Sequence, residues 1–193
     1  VSLKERKMSS RTGKVVLGEW LLDEVKSKVS EIIKEHEIKD FEETAEKIAV
    51  AAVKYMFLHT GATNDIVFSI NESVNLTGDS GPYLLYIVAR IKSIFRKYGE
   101  SLGKLKIPNV IEPAEKNLLN KIAEFGAVAE KSAVEQDPSK IAHYLLELAQ
   151  SFNNFYNLCP VLKAEGDTMN FRLYLIQSVQ IVMTKGLYLL GVE

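Results

Sequence analysis

Gly78-Asp79-Ser80-Gly81-Pro82-Tyr83-Leu84-Leu85-Tyr86-Ile87-Val88-Ala89-Arg90 is the stretch on which the fold turns. Small, turn-forming residues come first and lead without a break into a helical pattern. Pro82 stands in the first turn, where its missing N–H costs nothing and its fixed φ suits a helix. From there Leu84, Ile87, Val88, Ile91, Ile94 or Phe95, and Tyr98 recur at helical spacing as a wide apolar stripe that must face a core. A second stripe, Tyr83, Tyr86, Arg90, Ser93 and Lys97, keeps that spacing on another side of the same helix. On this reading the tyrosines and the arginine are not needed to close the core. Flat rings followed by a guanidinium and an ammonium suit unstacked nucleotide bases beside a phosphate backbone. Tyr and Arg also anchor protein–protein interfaces, so a helical interaction module using Tyr83, Tyr86 and Arg90 is the alternative.

Outward from this helix the chain reads as mainly all-α. Toward the N-terminus, Leu21 or Leu22, Val25, Val29 and Ile32 or Ile33 mark one helix. Asp40, with Glu43 as a capping-box partner, opens another through Ala45, Ile48, Ala52 and Tyr55, stopped by Thr60-Gly61. Ile66, Phe68 and Ile70 alternate as one short strand, which must pair with something missing from the chain or lie as extended chain. Residues 1–14 are polar and read as flexible, as does the loop from Gly99 to Pro113. Three more helices follow. Pro113 starts the first, with Leu118, Ile122, Phe125 and Ala129 on one face. Asp137-Pro138 starts the second, with Ile141, Leu145, Leu148, Phe152 and Phe155 inward. Asp167 is the expected cap of the last, which presents Phe171, Leu175, Val179 and Val182. Four helices with such stripes can close a bundle, so the expected division is a connecting segment at 1–77 and a helical domain at 78–193.

Composition narrows the function classes. The 193 residues are 47% hydrophobic and 25% charged, the balance of an ordinary globular protein. A net charge of −1 argues against generic, charge-driven nucleic-acid binding but leaves room for recognition of an RNA loop by stacking and base edges. The single cysteine, Cys159, allows no intrachain disulfide, consistent with a reducing cytosol. No apolar run approaches the roughly 18 residues of a membrane span. His36, His59 and His143 lie far apart in sequence without a second ligand at i+3 or i+4, so no metal site is expected.

Three ordered motifs carry a resemblance. The quoted Gly78–Arg90 stretch is similar to the arginyl-tRNA synthetase pattern that opens the anticodon-binding helical domain, Gly-Pro-Tyr-Leu-Gln-Tyr followed by two residues and Ala/Ser-Arg. Lys7-Met8-Ser9-Ser10-Arg11-Thr12-Gly13 resembles that family's form of the class I KMSKS loop. The segments Arg172-Leu173 and Val182-Met183-Thr184-Lys185-Gly186-Leu187-Tyr188-Leu189-Leu190-Gly191-Val192 resemble its last helix and ending.

The resemblance implies anticodon contacts by Tyr86 and Arg90, with Tyr83 opening the stripe and Tyr156, in Asn153-Asn154-Phe155-Tyr156-Asn157, as a second aromatic contributor. Leu85 stands where Gln is common. It also implies that Lys7, Met8, Ser9, Ser10 and Arg11 form a loop that closes over ATP, where cationic and hydroxyl groups meet phosphate oxygens. Ser10 replaces the usual fourth lysine and Arg11 follows it. No nucleotide-binding fold with a HIGH motif accompanies this loop, so no complete catalytic site is expected. The chain reads as a piece of a longer, cytoplasmic enzyme that joins arginine to tRNA-Arg with ATP and magnesium. By itself the piece is expected to be inactive, to hold no cofactor, and to have no DNA or membrane partner.

Overall fold

The computed structural model describes residues 1–4, 17–35 and 38–192. Lys7, Met8, Ser9, Ser10, Arg11 and His36 lie outside the described residues. The elements are β1 (Ser2–Leu3), α1 (Gly18–Ile33), α2 (Phe41–His59), β2 (Val67–Phe68), α3 (Ile70–Ser73), α4 (Gly81–Tyr98), α5 (Pro113–Ala123), α6 (Phe125–Glu135), α7 (Ser139–Leu158) and α8 (Gly166–Leu189). The mainly helical class is as expected.

Two apolar cores share α2. Leu21, Val25, Val29 and Ile33 of α1 pack with Ala45, Ala49 and Ala52 of α2 and with Leu3, Phe68 and Val74. Ala51 and Tyr55, about a quarter-turn round α2, join the larger core formed by α4, α5, α7 and α8. Alanines on both of these faces let α2 lie close to two layers at once. The closest approach is at Gly81: a Cβ there would sit 2.8 Å from the Ala51 carbonyl carbon and 3.0 Å from Tyr55 Cβ. Only glycine lets α4 begin here.

The short strand has a partner within the chain. β2 pairs in parallel with β1, in the register Ser2↔Val67 and Leu3↔Phe68. Ser2 N–H donates to the Ile66 carbonyl and Lys4 N–H to that of Phe68, each at 2.8 Å. Leu3 and Phe68 point into the first core, so the first residues, expected to be flexible, are in part a strand.

Other expectations are corrected in detail. Asp40 has left-handed backbone (φ 53°), which cannot present its side chain as an N-cap, and Glu43 pairs with Lys47 at 2.7 Å instead of closing a capping box. The helix expected from Pro113 is two: the Glu124 N–H turns to the Ile122 carbonyl, and the ladder resumes with Val128 N–H on Glu124. Glu165, not Asp167, precedes α8; Asp167 sits in the first turn, favoured there by the helix dipole, and pairs with Lys106 at 3.5 Å. The Gly99–Pro113 loop is tied to α8, since Tyr174 Oη donates to the Gly103 carbonyl at 2.9 Å and Asn170 Nδ2 to that of Lys104 at 2.6 Å.

Around the bundle the expected stripes face inward. Leu84, Ile87, Val88, Ile91 and Ile94 of α4 are buried, as are Ile141, Leu145, Leu148, Phe152 and Phe155 of α7, and Phe171, Leu175 and Val179 of α8. Asp137 Oδ1 accepts from the Ser139 N–H (3.1 Å) and hydroxyl (2.6 Å) and so starts α7. Gly186 lets α8 approach α7, because a Cβ there would lie 2.5 Å from Leu145 Cδ2. Arg172 on α8 locks the bundle end. Its Nε donates to the buried Glu115 of α5 at 2.6 Å and its Nη1 to the Pro160 carbonyl at 3.0 Å.

Candidate nucleic-acid interface

The expected stripe on α4 divides in two. Ser80 caps the helix by accepting from the Tyr83 N–H at 3.2 Å, which fixes where each following residue points. Tyr83 is then only 6% exposed and belongs to the core. Its place on an open RNA-binding face is corrected: the Tyr83 position turns toward α7, and the ring closes the space between the helices. Tyr86, at 44%, keeps its ring in solvent.

Arg90 is where the elements meet. Its guanidinium carbon lies 4.8 Å from the centre of the Tyr156 ring on α7 and 5.6 Å from that of Tyr86, one turn before it on α4. Such contacts contribute about 0.5–1 kcal/mol each at exposed sites. Arg90 Nη1 donates to Asn153 Oδ1 at 3.1 Å, and Asn153 Nδ2 donates to the Tyr83 hydroxyl at 2.7 Å. Asn153 thus joins the buried phenol to the half-buried guanidinium. Burial pushes the Tyr83 phenol up, with the hydrogen bond from Asn153 and the charge of Arg90 pulling the other way. The phenol stays neutral and serves Asn153 as an acceptor.

A cleft of about 470 Å³ opens beside this cluster, lined by Arg90, Ser93, Ile94, Lys97, Tyr156 and the Pro160–Lys163 turn between α7 and α8. Four of the expected residues, Arg90, Ser93, Lys97 and Tyr156, therefore share one concavity. Tyr86 stands against Arg90 and lines a neighbouring, more apolar groove with Leu85 and Pro82. Among the described residues the 470 Å³ cleft is lined by the cations Arg90, Lys97 and Lys163 and by no carboxylate. Ring faces, a positioned guanidinium and cations around a concavity suit an unstacked base attached to its phosphates.

Two further residues of this region, Asn153 and Lys163, carry little signal in the sequence. Asn153 lies in the quoted Asn-Asn-Phe-Tyr stretch, three residues before Tyr156, a spacing that places both on one face. Lys163 follows the end of α7 and has no signal beyond its charge. The histidines hold a surprise as well. His59 and His143 rings are 4.4 Å apart, and His59 Nε2 lies 2.7 Å from Asp79 Oδ2. Even so, no three metal-ligating groups converge among the described residues. None of their helices is long and apolar enough to cross a membrane.

Residues 84–193 match the family described as DALR anticodon binding domain. Over its whole length the chain is 34% identical to the arginine–tRNA ligase of Clostridium acetobutylicum, covering 35% of that protein. It is 38% identical to the corresponding ligase of Ignicoccus hospitalis, covering 31% of it. The fold superposes on the arginyl-tRNA synthetase of Thermus thermophilus with a TM-score of 0.87 and 33% identity, over 99% of this chain and 33% of that one. For the Plasmodium falciparum arginyl-tRNA synthetase the TM-score is 0.78 at 25% identity, over 93% of this chain and 33% of that one. The chain spans about a third of the length of the relatives it matches.

Proposed function

Because the chain belongs to the DALR anticodon binding domain family, we propose that it is the tRNA-binding part of an arginyl-tRNA synthetase and that the Arg90 cleft receives bases of the tRNA-Arg anticodon. The observation that carries this reading is the Arg90 guanidinium held against Tyr86 and Tyr156 and fixed by Asn153. A base stacks on the exposed ring of Tyr86 beside the Arg90 guanidinium that Tyr156 supports, while the remaining guanidinium N–H groups meet base-edge acceptors. Ser93 supplies a hydroxyl in the same cleft, and Lys97 and Lys163 neutralise the backbone on either side. Residues 78–193 act as the gripping domain. Residues 1–77 connect it to a catalytic part that joins arginine to tRNA-Arg in the cytoplasm.

That catalytic step uses ATP with magnesium in the whole enzyme, and Lys7, Met8, Ser9, Ser10 and Arg11 would belong to its phosphate-facing loop. Gripping the anticodon places the acceptor end of the tRNA at the distant active site. The part of that reaction assigned to this chain is binding of the tRNA.

The test is equilibrium binding of the chain to a tRNA-Arg transcript at two salt concentrations, beside a transcript with altered anticodon bases. Binding that weakens with salt and with the altered anticodon supports the reading. Equal binding to both transcripts would exclude it, and a salt-independent complex with a protein would favour an interaction module.

A further inference from the structure

A second concavity lies on the next face of α4, between α4 and α8. It is an open groove of about 700 Å³ lined by Ala89, Lys92, Phe95, Arg96, Gln177 and Gln180. Lys92 and Arg96 stand one turn apart on α4, and Gln177 and Gln180 are neighbours on one face of α8. Among the described residues none of these four side chains has a hydrogen-bond or ion-pair partner. Several other lysines are matched with acids, Lys26 with Glu42 and Glu46, Lys121 with Glu124 and Glu147, and Lys140 with Glu135 and Asp137, whereas among the described residues Lys92 and Arg96 are not.

We infer that this groove is a second RNA site, taking the ribose–phosphate backbone of the strand that leaves the Arg90 cleft. The inference rests on the reading of that cleft as the anticodon site. Two like charges one turn apart repel each other, and among the described residues no carboxylate lines the groove to relieve them. In a chain whose acids outnumber its bases, an unopposed pair of cations beside two free amides marks a place for a polyanion.

The amides identify the kind of polyanion. Each can donate to a phosphate oxygen and accept from a hydroxyl, the two groups that alternate along RNA. An open groove of about 700 Å³ would leave most of a small anion in water, so an extended strand fits it better than a lone phosphate. Phe95 and Ala89 between the polar groups offer an apolar surface for the sugar.

Position supplies the continuity. Ala89 is adjacent to Arg90, and Arg96 to Lys97, so the groove and the cleft flank one helix. An α-helix with its side chains is about 10–12 Å across, a short step for an extended nucleotide strand.

The experiment is fluorescence anisotropy of the chain with a labelled hairpin carrying the tRNA-Arg anticodon stem and loop, over a series of salt concentrations. The Lys92→Gln/Arg96→Gln double variant should bind more weakly at low salt, and its log–log salt slope should fall by about 1.4–1.8, two phosphate contacts at roughly 0.7–0.9 each. The single Lys92→Gln change should give about half of that, and Lys116→Gln, away from the groove, should leave the slope alone. Replacing stem riboses by deoxyriboses should weaken the wild type and have less effect on Gln177→Leu/Gln180→Leu.

An unchanged slope in the double variant overturns the proposal and leaves the cations for an acidic protein partner. An Arg90→Ala arm separates the two readings. If Arg90→Ala keeps anticodon preference while the double variant flattens the slope, the anticodon assignment fails and the groove remains an RNA surface. If Arg90→Ala abolishes the preference and the double variant does nothing, the groove fails alone.

Discussion

The Arg90 guanidinium carbon on α4 lies 4.8 Å from the centre of the Tyr156 ring on α7, joining the two helices beside the Arg90–Asn153 hydrogen bond. Neither helix alone makes the site. A change in either residue should therefore act on RNA binding much more than on folding. Tyr156→Leu keeps apolar bulk against the core but removes the ring. It should weaken tRNA-Arg binding by about 0.5–1 kcal/mol, the worth of the cation–π contact that seats Arg90, roughly two- to fivefold. Tyr86→Ala should lose about fivefold or more. Thermal melts beside the binding curves separate this from loss of fold.

Asn153 should behave as the part that sets the direction of Arg90. Its amide bonds Tyr83 at one end and Arg90 at the other. Asn153→Asp keeps an acceptor for both groups, because the Tyr83 hydroxyl can turn and donate. Asn153→Leu offers neither and should cost about 1 kcal/mol of binding, roughly fivefold. Equal affinity of the leucine variant and the wild type, measured by filter binding, would remove Asn153 from the mechanism.

The cluster at the root of α4 predicts a pH dependence. Tyr55 Oη donates to Asp79 Oδ1 at 2.5 Å, and His59 Nε2 lies 2.7 Å from Oδ2. The hydrogen bond to Asp79 raises the His59 pKa against the opposing effect of burial. Burial works to raise the Asp79 carboxyl, but bonds from His59 and Tyr55 outweigh it and hold it below the usual range. The His59 contribution to stability is full below its ordinary pKa and is lost as pH rises through the raised one. The Asp79 contribution is full above its ordinary pKa and is lost as pH falls through the lowered one. Wild type should thus exceed His59→Gln in Tm most clearly from about pH 4 to about pH 6.5, and the gap should close at higher pH. A gap that stays constant through pH 9 contradicts the ion pair.

Arg172 and Glu115 make a buried pair, with side-chain exposures of 12% and 1%. Arg172→Leu leaves the Glu115 carboxylate without its cation and should lower unfolding free energy by about 3–5 kcal/mol. Replacing both by apolar residues should recover much of that loss. Urea denaturation of the single and double variants measures the difference.

The helices were legible where burial alone decides the residues. α4, α7 and α8 carry apolar stripes long enough to fix period and face, and each faces the core as its spacing implies. What the sequence hid is contact made at a distance. β1 has only Ser2 and Leu3, too few residues to show alternation, so nothing announces the partner of Val67–Phe68. Tyr83 lies on the same helical stripe as Tyr86, yet α7 covers one and not the other, and spacing on α4 contains no information about α7. The same blindness separated His59 from His143, which are 84 positions apart in sequence and 4.4 Å apart in rings. Asp40 fails as a cap for a local reason, since its left-handed backbone turns the side chain away from the orphan N–H groups.

The central claim is that Arg90 and Tyr86 read anticodon bases, and a double-mutant cycle across protein and RNA tests it most directly. Wild type, Tyr86→Ala and Arg90→Ala are each measured against tRNA-Arg and against a transcript with altered anticodon bases. The account predicts that altering the anticodon costs wild type fivefold or more, about 1 kcal/mol, and costs at least one of the two variants almost nothing. If the altered anticodon is equally damaging to all three proteins, these side chains do not touch the bases and the account is wrong.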